Sequence, residues 1–209
     1  MPNHISHHVT FEYDEGSEVS YKKHEEAVLA VKEKMKTPDR EFDFNVLIPY
    51  PKEYADADEQ AYKHDQEGKP YASRPEDGFN HGGYEWCCDN WGTKWNAYGV
   101  VWSYDELYFQ TAWNTPLPIL EALSREFPDV TIKVEYADED IGSNCGTIIL
   151  KGGTIIHEDN AETMDNSRLF ADRVYHEYHH RFYYAQLEAE EAKTRELEHK
   201  LSDIGKESV

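Results

Sequence analysis

His176-Glu177-Tyr178-His179-His180 carries the spacing H-E-x-x-H, in which two histidines one helical turn apart can ligate zinc while the glutamate activates water. Catalysis would need a third ligand. The residues after His180 continue as uninterrupted helix and cannot fold back to supply one, and Arg181 stands where a zinc-peptidase helix usually carries an uncharged side chain. The expectation is therefore no enzyme and no cofactor, with His176, Glu177 and His180 kept as the metalloenzyme alternative. His4, His7 and His8 could gather around a metal with His81 or Cys87, but neighbouring strand residues point to opposite faces, which separates His7 from His8. Cys87-Cys88 lacks C-x-x-C spacing, an adjacent pair makes a poor disulfide, and Cys145 leaves an odd number of thiols, so reduced, buried cysteines are expected. No G-x-x-x-x-G-K, G-x-G-x-x-G or G-x-S-x-G run occurs, which removes the common nucleotide and acyl-transfer signatures.

The carboxylates are more suggestive. With 42 acids against 21 bases the formal net charge is −21, a field that repels phosphate backbones and attracts basic protein surfaces. Between Val134 and Asp165 lie Glu135, Asp138, Glu139, Asp140, Glu158, Asp159, Glu162 and Asp165, with Lys151 the one base among them. Carboxylates spaced on a rigid frame can imitate the phosphates of a nucleic acid and fill a basic groove on another protein. A second group, Asp56, Asp58, Glu59, Asp65 and Glu67, falls in a polar stretch.

All five tryptophans, Trp86, Trp91, Trp95, Trp102 and Trp113, fall between residues 83 and 120. Such a concentration marks a core or a contact surface. Trp91 to Asn96, with Lys94 for a phosphate, would suit base stacking on a sheet face. The charge of the chain opposes this, and core and sheet-face packing is expected. In a strand over 94–103, alternation would put Trp95, Ala97, Gly99 and Val101 on one face and Asn96, Tyr98, Val100 and Trp102 on the other.

The elements that must position these groups follow from periodicity. Residues 4–13 and 130–136 alternate as strands, and residues 21–36 place Ala27, Val28, Val31 and Met35 at helical spacing before Pro38. Residues 41–48 alternate and predict a second strand. Residues 52–82 form a polar excursion with a short helix near 54–64. Strands over 94–103 and 107–113 flank a tight turn, a helix spans 116–127, and residues 146–150 and 154–157 form a hairpin turned at Gly152-Gly153. From 162 to 202 there is neither Pro nor Gly, and Phe170, Val174, Tyr178 and Phe182 make one apolar stripe of a long helix.

The blocks MPNHISHHVTFE, FDFNVLIPYPKEY, GYEWCCDNWGTKWNAYGV and FQTAWNTPLPILEALSREFPDVTIKVEYADED, in that order over residues 1–142, resemble the YubB-like family of plasmid and phage proteins. The resemblance implies a ferredoxin-like domain and a mobile-element origin, and carries over no catalytic residue. The long helix lies outside it. The expected fold is α+β, a ferredoxin-like split βαββαβ antiparallel sheet with an insertion at 52–93 between the halves of the repeat, an extra hairpin and a long C-terminal helix. Residues 1–160 would form the domain and 161–209 the helical extension.

Function is then expected through binding. The leading expectation is a mobile-element accessory protein that inhibits a host nucleic-acid-handling or defence protein with a basic surface, such as a CRISPR effector, by acting as a nucleic-acid mimic. Its contacts would be Glu135, Asp138, Glu139, Asp140, Glu158, Asp159, Glu162 and Asp165, joined by Tyr175, Tyr178 and Tyr183 of the helix, which could alternatively form a homodimer. A nucleic-acid-binding regulator using the aromatic sheet face is the other binding alternative. Neither a secretory leader pattern nor about 18 consecutive apolar residues occurs, so a cytoplasmic location is expected.

Overall fold

The structure, a computed structural model, describes residues 2–13, 21–161 and 167–207. Strand β1 (His4–Tyr13) leads to helix α1 (Tyr21–Met35), then α2 (Lys52–Gln66) and α3 (Gly83–Trp91). The chain continues as β2 (Tyr98–Ser103), β3 (Glu106–Ala112), α4 (Leu117–Glu126), β4 (Val130–Asp138), β5 (Gly146–Lys151), β6 (Thr154–Asn160) and α5 (Ser167–Glu207). The strands make one sheet in the order β2-β3-β1-β4-β5-β6 with every neighbour antiparallel. Its first four strands, with α1 and α4 as the crossovers, are the ferredoxin-like βαββαβ unit. The β5–β6 hairpin extends the β4 edge.

Alternation in β1 assigns the two faces. Ile5, His7, Val9 and Phe11 face one way. Val9 and Phe11 join the principal core with Leu107 and Phe109 of β3, Ile132 and Val134 of β4, Val28, Val31 and Met35 of α1, and Ile119, Leu120 and Leu123 of α4. Each fully buried aliphatic or aromatic side chain there contributes about 1.5–3 kcal/mol relative to exposure. His4, Ser6 and His8 face the other way, beneath α5. A smaller apolar cluster, Ala137, Cys145, Ala161, Ala171 and Val174, seats the first turns of that helix.

The insertion is placed differently from the sequence expectation. It precedes β2, inside the first half of the repeat, and residues 41–48 are not a strand: Phe44–Val46 form one 3-10 turn. Phe42 and Phe44 are buried, as alternation requires of apolar residues, but side chains satisfy the backbone in place of a neighbouring strand. Asp43 Oδ1 accepts the N–H of Asn45 at 3.0 Å, and Asn96 Oδ1 accepts the N–H of Phe44 at 3.1 Å. The Asn96 amide donates to Asp43 Oδ1 at 2.7 Å. Residues 83–91, inside the tryptophan-rich stretch, are helical and bury Cys87 and Trp91, whose indole N–H donates to Ile48 O at 2.8 Å.

Strand β2 is also shorter than alternation suggests. A register shift against β3 lies between Tyr98 and Val101, so Val100 and Trp102 pack on the principal core while Tyr98 emerges on the opposite face, beside His4. Gly99 has φ +59°, and a Cβ there would collide with the Tyr178 hydroxyl, which donates to Gly99 O at 3.1 Å.

Asn96 is thus a buried staple between the insertion and the sheet. Asn96→Ala strands the Phe44 N–H and removes a donor from Asp43, and is expected to cost about 2–3 kcal/mol in urea unfolding with an unchanged slope, whereas an unchanged midpoint would contradict the staple.

Candidate functional site

Two assemblies of polar side chains stand out from the apolar frame. The first lies between the sheet and α5, where the β1–β3 register sets His8 opposite Tyr108 and the β1–β4 register sets it opposite Glu135. The imidazole stacks on the Tyr108 ring at 4.5 Å and 6°. Its Nε2 is 3.1 Å from Glu106 Oε1, and its Nδ1 lies 3.6 Å from both Glu135 Oε2 and Glu177 Oε2, ion-pair rather than hydrogen-bond distances. Arg173 forks onto Glu135 at 2.8 and 3.3 Å, and Arg181 reaches Glu106 at 3.4 Å over the Tyr108 ring.

Burial opposes charge on His8, but the carboxylates of Glu135, Glu177 and Glu106 outweigh it and raise its pKa above the ordinary value. His8 and then Arg173 hold the Glu135 carboxyl far below its usual range despite its burial. On the opposite face His7 stacks on Phe109 at 4.4 Å and 6°. Burial lowers its pKa to about 3. One neutral tautomer satisfies both ring nitrogens, Nδ1–H donating to Phe109 O at 3.3 Å and Nε2 accepting from Thr115 Oγ1 at 3.2 Å. With the imidazole of His8 buried and its acids matched by arginines, the arrangement can hold charge and clamp α5, but it offers a substrate no approach to the ring. A groove of about 630 Å³ between α1 and the β2–β3 turn reaches only the outer members, Glu106 and Arg181.

The second assembly is at the surface, where α3, the chain entering β2 and the end of β3 meet. Lys94 Nζ sits 4.7 Å from the Trp113 ring centre, 4.9 Å from Trp95 and 5.6 Å from Tyr84. Tyr84 braces Trp113 edge-on at 5.8 Å. Trp113 is 37% exposed and holds φ +74°, a left-handed conformation unusual for a bulky residue. Its N–H donates to Asn3 O at 2.9 Å and its carbonyl accepts from Asn144 Nδ2 at 3.1 Å. The Asn3 amide also donates to Asp138 at 3.1 Å, which ties the aromatic group to the loop carrying Glu139 and Asp140.

The sites expected from the sequence are divided by this geometry. Glu135, Asp138 and Tyr178 are turned inward: Glu135 lies in the charge network, Asp138 accepts the Asp140 N–H at 2.9 Å, and Tyr178 is 1% exposed. These three hold the chain together. Glu139, Asp140, Glu158 and Tyr183 are exposed, and Asp159 and Tyr175 are half-buried. Glu162 and Asp165 lie outside the described residues. The second acidic group is locally neutralised, by Lys52–Asp56 at 2.6 Å, Glu59–Lys63 at 2.6 Å, Asp65–Arg74 at 3.0 Å and Glu67–Lys69, while Asp58 accepts the Phe79 N–H at 2.9 Å.

The H-E-x-x-H side chains diverge. His176 points outward to Asp172 at 3.2 Å and His180 lies tilted against the Tyr184 ring at 4.6 Å, whereas Glu177 turns in, within 3.3 Å of the Tyr108 hydroxyl. Among the described residues no group of three or more His, Cys, Asp or Glu side chains is arranged to hold a metal. Burial raises the Cys87 thiol to about 12, and none of Cys87, Cys88 and Cys145 is in a disulfide. Glu106, Tyr108 and Arg173 carry no functional mark in the sequence, and Arg181 bears there only on the zinc pattern; for Glu106 and Tyr108 the signal present is the polar member of each alternating pair in β3.

A sheet ordered β2-β3-β1-β4 with both crossover helices on one face defines a ferredoxin-like α+β protein. Residues 90–200, more than half of the chain, match the family described as the ferredoxin-like domain in Api92-like proteins, and the chain belongs to that family. No curated protein and no solved structure matches the chain. The matched residues run from Asn90 through most of α5 and leave out β1, the strand that joins the two halves of the sheet. Among the described residues no helix is long and apolar enough to cross a membrane.

The charge network has a signed pH dependence. The raised His8 pKa gives stability fully present below 6.5, its ordinary value, and lost as pH rises through its folded pKa; the lowered Glu135 pKa gives stability present above 4.5 and lost as pH falls through its folded value. His7, with its lowered pKa, favours the folded state above 6.5 and loses that contribution toward about 3. Urea unfolding from pH 7 to 9, above the range in which His7 contributes the opposite slope, is therefore expected to show stability falling with pH in the wild type and a flatter profile in His8→Gln; parallel profiles would contradict the clamp.

Proposed function

We propose that this chain is an accessory protein of a phage or plasmid that acts in the host cytoplasm by binding, and that its target is a host nucleic-acid-handling or defence protein with a basic surface, a CRISPR effector being one such target. The observation that carries the reading is the exposed acid of Glu139 and Asp140, on the loop that follows β4, and of Glu158 on β6, in a chain of net charge −21. Acids in fixed positions present a target's cationic groove with the charge pattern of a backbone, and the field of the chain accelerates the encounter. The resemblance to YubB-like plasmid and phage proteins supports the mobile-element origin. Helix α5 covers the sheet face on which ferredoxin-like RNA-binding modules stack bases, which weighs against direct nucleic-acid recognition there.

The test uses the full chain, tagged, in host lysate. The expected result is enrichment of a nucleic-acid-handling protein whose binding to its own DNA or RNA is blocked by added wild-type chain. Capture should fall at least about tenfold in Glu139→Lys/Asp140→Lys/Glu158→Lys, consistent with a few desolvated charge contacts. Recovery of no nucleic-acid-handling protein, or equal capture by the triple variant, overturns the reading.

A further inference from the structure

We propose that Tyr84, Trp95 and Trp113 form a cation-binding cage, held shut in the free protein by Lys94, that takes an arginine side chain of a basic protein partner in exchange. The inference rests on the reading of the chain as a binder of basic surfaces and identifies the contact that would give such binding specificity.

The cage is demonstrated by its own occupant. An ammonium within about 6 Å of an aromatic centre is attracted by the negative face of the ring, and Lys94 meets that condition on three rings at once, at 4.7, 4.9 and 5.6 Å. Among the described residues no carboxylate lies at ion-pair distance from Lys94, so aromatic faces take the place of the acid that a surface lysine usually finds in so acidic a chain.

The rings are fixed in place before any partner arrives. Trp113 is held in a left-handed conformation that is unfavourable for a non-glycine residue, and both of its backbone polar groups are engaged, by Asn3 and Asn144. Tyr84 is braced by Phe79 at 6.0 Å as well as by Trp113. Tryptophan and tyrosine held on a surface and ringed by polar groups are the usual anchors of a protein interface.

Charge complementarity decides the occupant. The loop of Glu139 and Asp140 adjoins the cage through Asn3 and Asp138, so an arriving segment meets acids beside the aromatic faces, which favours a cation and disfavours a phosphate. Arginine suits the exchange because its guanidinium is planar, weakly hydrated and stacks on aromatic rings, whereas the displaced lysine ammonium is strongly hydrated and regains water on leaving. A single-stranded nucleic acid, stacking on Trp113 with Lys94 on a phosphate, is the competing occupant.

The experiment empties the cage and offers it tetramethylammonium, followed by tryptophan fluorescence in the full chain. Lys94→Ala is expected to bind the probe saturably and at least about tenfold more tightly than wild type, and Lys94→Ala/Trp113→Gly is expected to lose that gain. Glycine at 113 keeps the left-handed turn without strain, and equal urea midpoints for the two variants check that loss of binding is not loss of fold. No gain in Lys94→Ala, a gain that survives Trp113→Gly, or wild-type binding of an oligothymidylate that Lys94→Ala abolishes would each overturn the cage. Because the probe involves no host protein, failure here leaves capture from lysate untouched, and failure of that capture leaves the cage result standing.

Discussion

The pairing of β1 along both of its edges is the constraint on which the structure depends. The strand sits between β3 and β4, so it joins the two halves of the repeat, and its alternation decides which residues enter the principal core and which lie beneath α5. His7 and His8 show the consequence most directly. They are adjacent in the chain, each stacks on the residue opposite it in β3, and they acquire opposite proton affinities. The difference lies in the neighbours: His7 is enclosed by apolar groups and two neutral hydrogen-bond partners, His8 by three carboxylates. A one-residue slip would exchange these surroundings, placing an imidazole that prefers to be charged in the apolar core and a neutral one among the acids.

A sheet with a polar strip on its second face needs a cover that brings its own charges. Helix α5 does this with two kinds of contact along its first turns. Ala171, Val174 and Tyr178 bury apolar surface, while Arg173, Glu177 and Arg181 close the network around His8. At 41 residues and about 1.5 Å per residue, the helix is roughly 60 Å long, far more than the sheet beneath it can cover. Its later part, from about Tyr183, carries exposed Tyr183, Tyr184 and Leu197. The whole segment between α1 and β2 serves the other face, where Phe42, Phe44, Cys87 and Trp91 complete the principal core.

The acidity of the chain is unevenly committed. Five carboxylates of the insertion are taken up by nearby lysines, an arginine and a backbone N–H, and Glu106, Glu135 and Glu177 by the clamp. What remains accessible near the end of β4 and on β6 is a smaller set, Glu139, Asp140 and Glu158, and the first two adjoin the most strained and exposed tryptophan. Interior acids matched by bases fasten the frame, and exterior acids set the field a partner meets.

The sequence by itself determined the elements with a strong period. The alternation of β1 and β4, the spacing of Val28, Val31 and Met35, the hairpin at Gly152-Gly153 and the unbroken helix after residue 167 each report a local preference that the tertiary structure leaves intact. The resemblance in residues 1–142 likewise led to the ferredoxin-like fold. Tertiary structure alone decided the rest. Residues 41–48 alternate like a strand, but alternation names a buried face and not a hydrogen-bonding neighbour, and Asn96 and Asp43 supplied the bonds instead. The bulge at Gly99 returned Tyr98 to the opposite face, which no two-residue period can express. The stripe spaced by four drifts around a helix of 3.6 residues per turn, so Ala171, Val174 and Tyr178 are the fully buried line while Phe170 and Phe182 fall to its margins. The gathering of Tyr84, Lys94, Trp95 and Trp113 needed three elements to converge, and long-range convergence of that kind leaves no mark in local spacing.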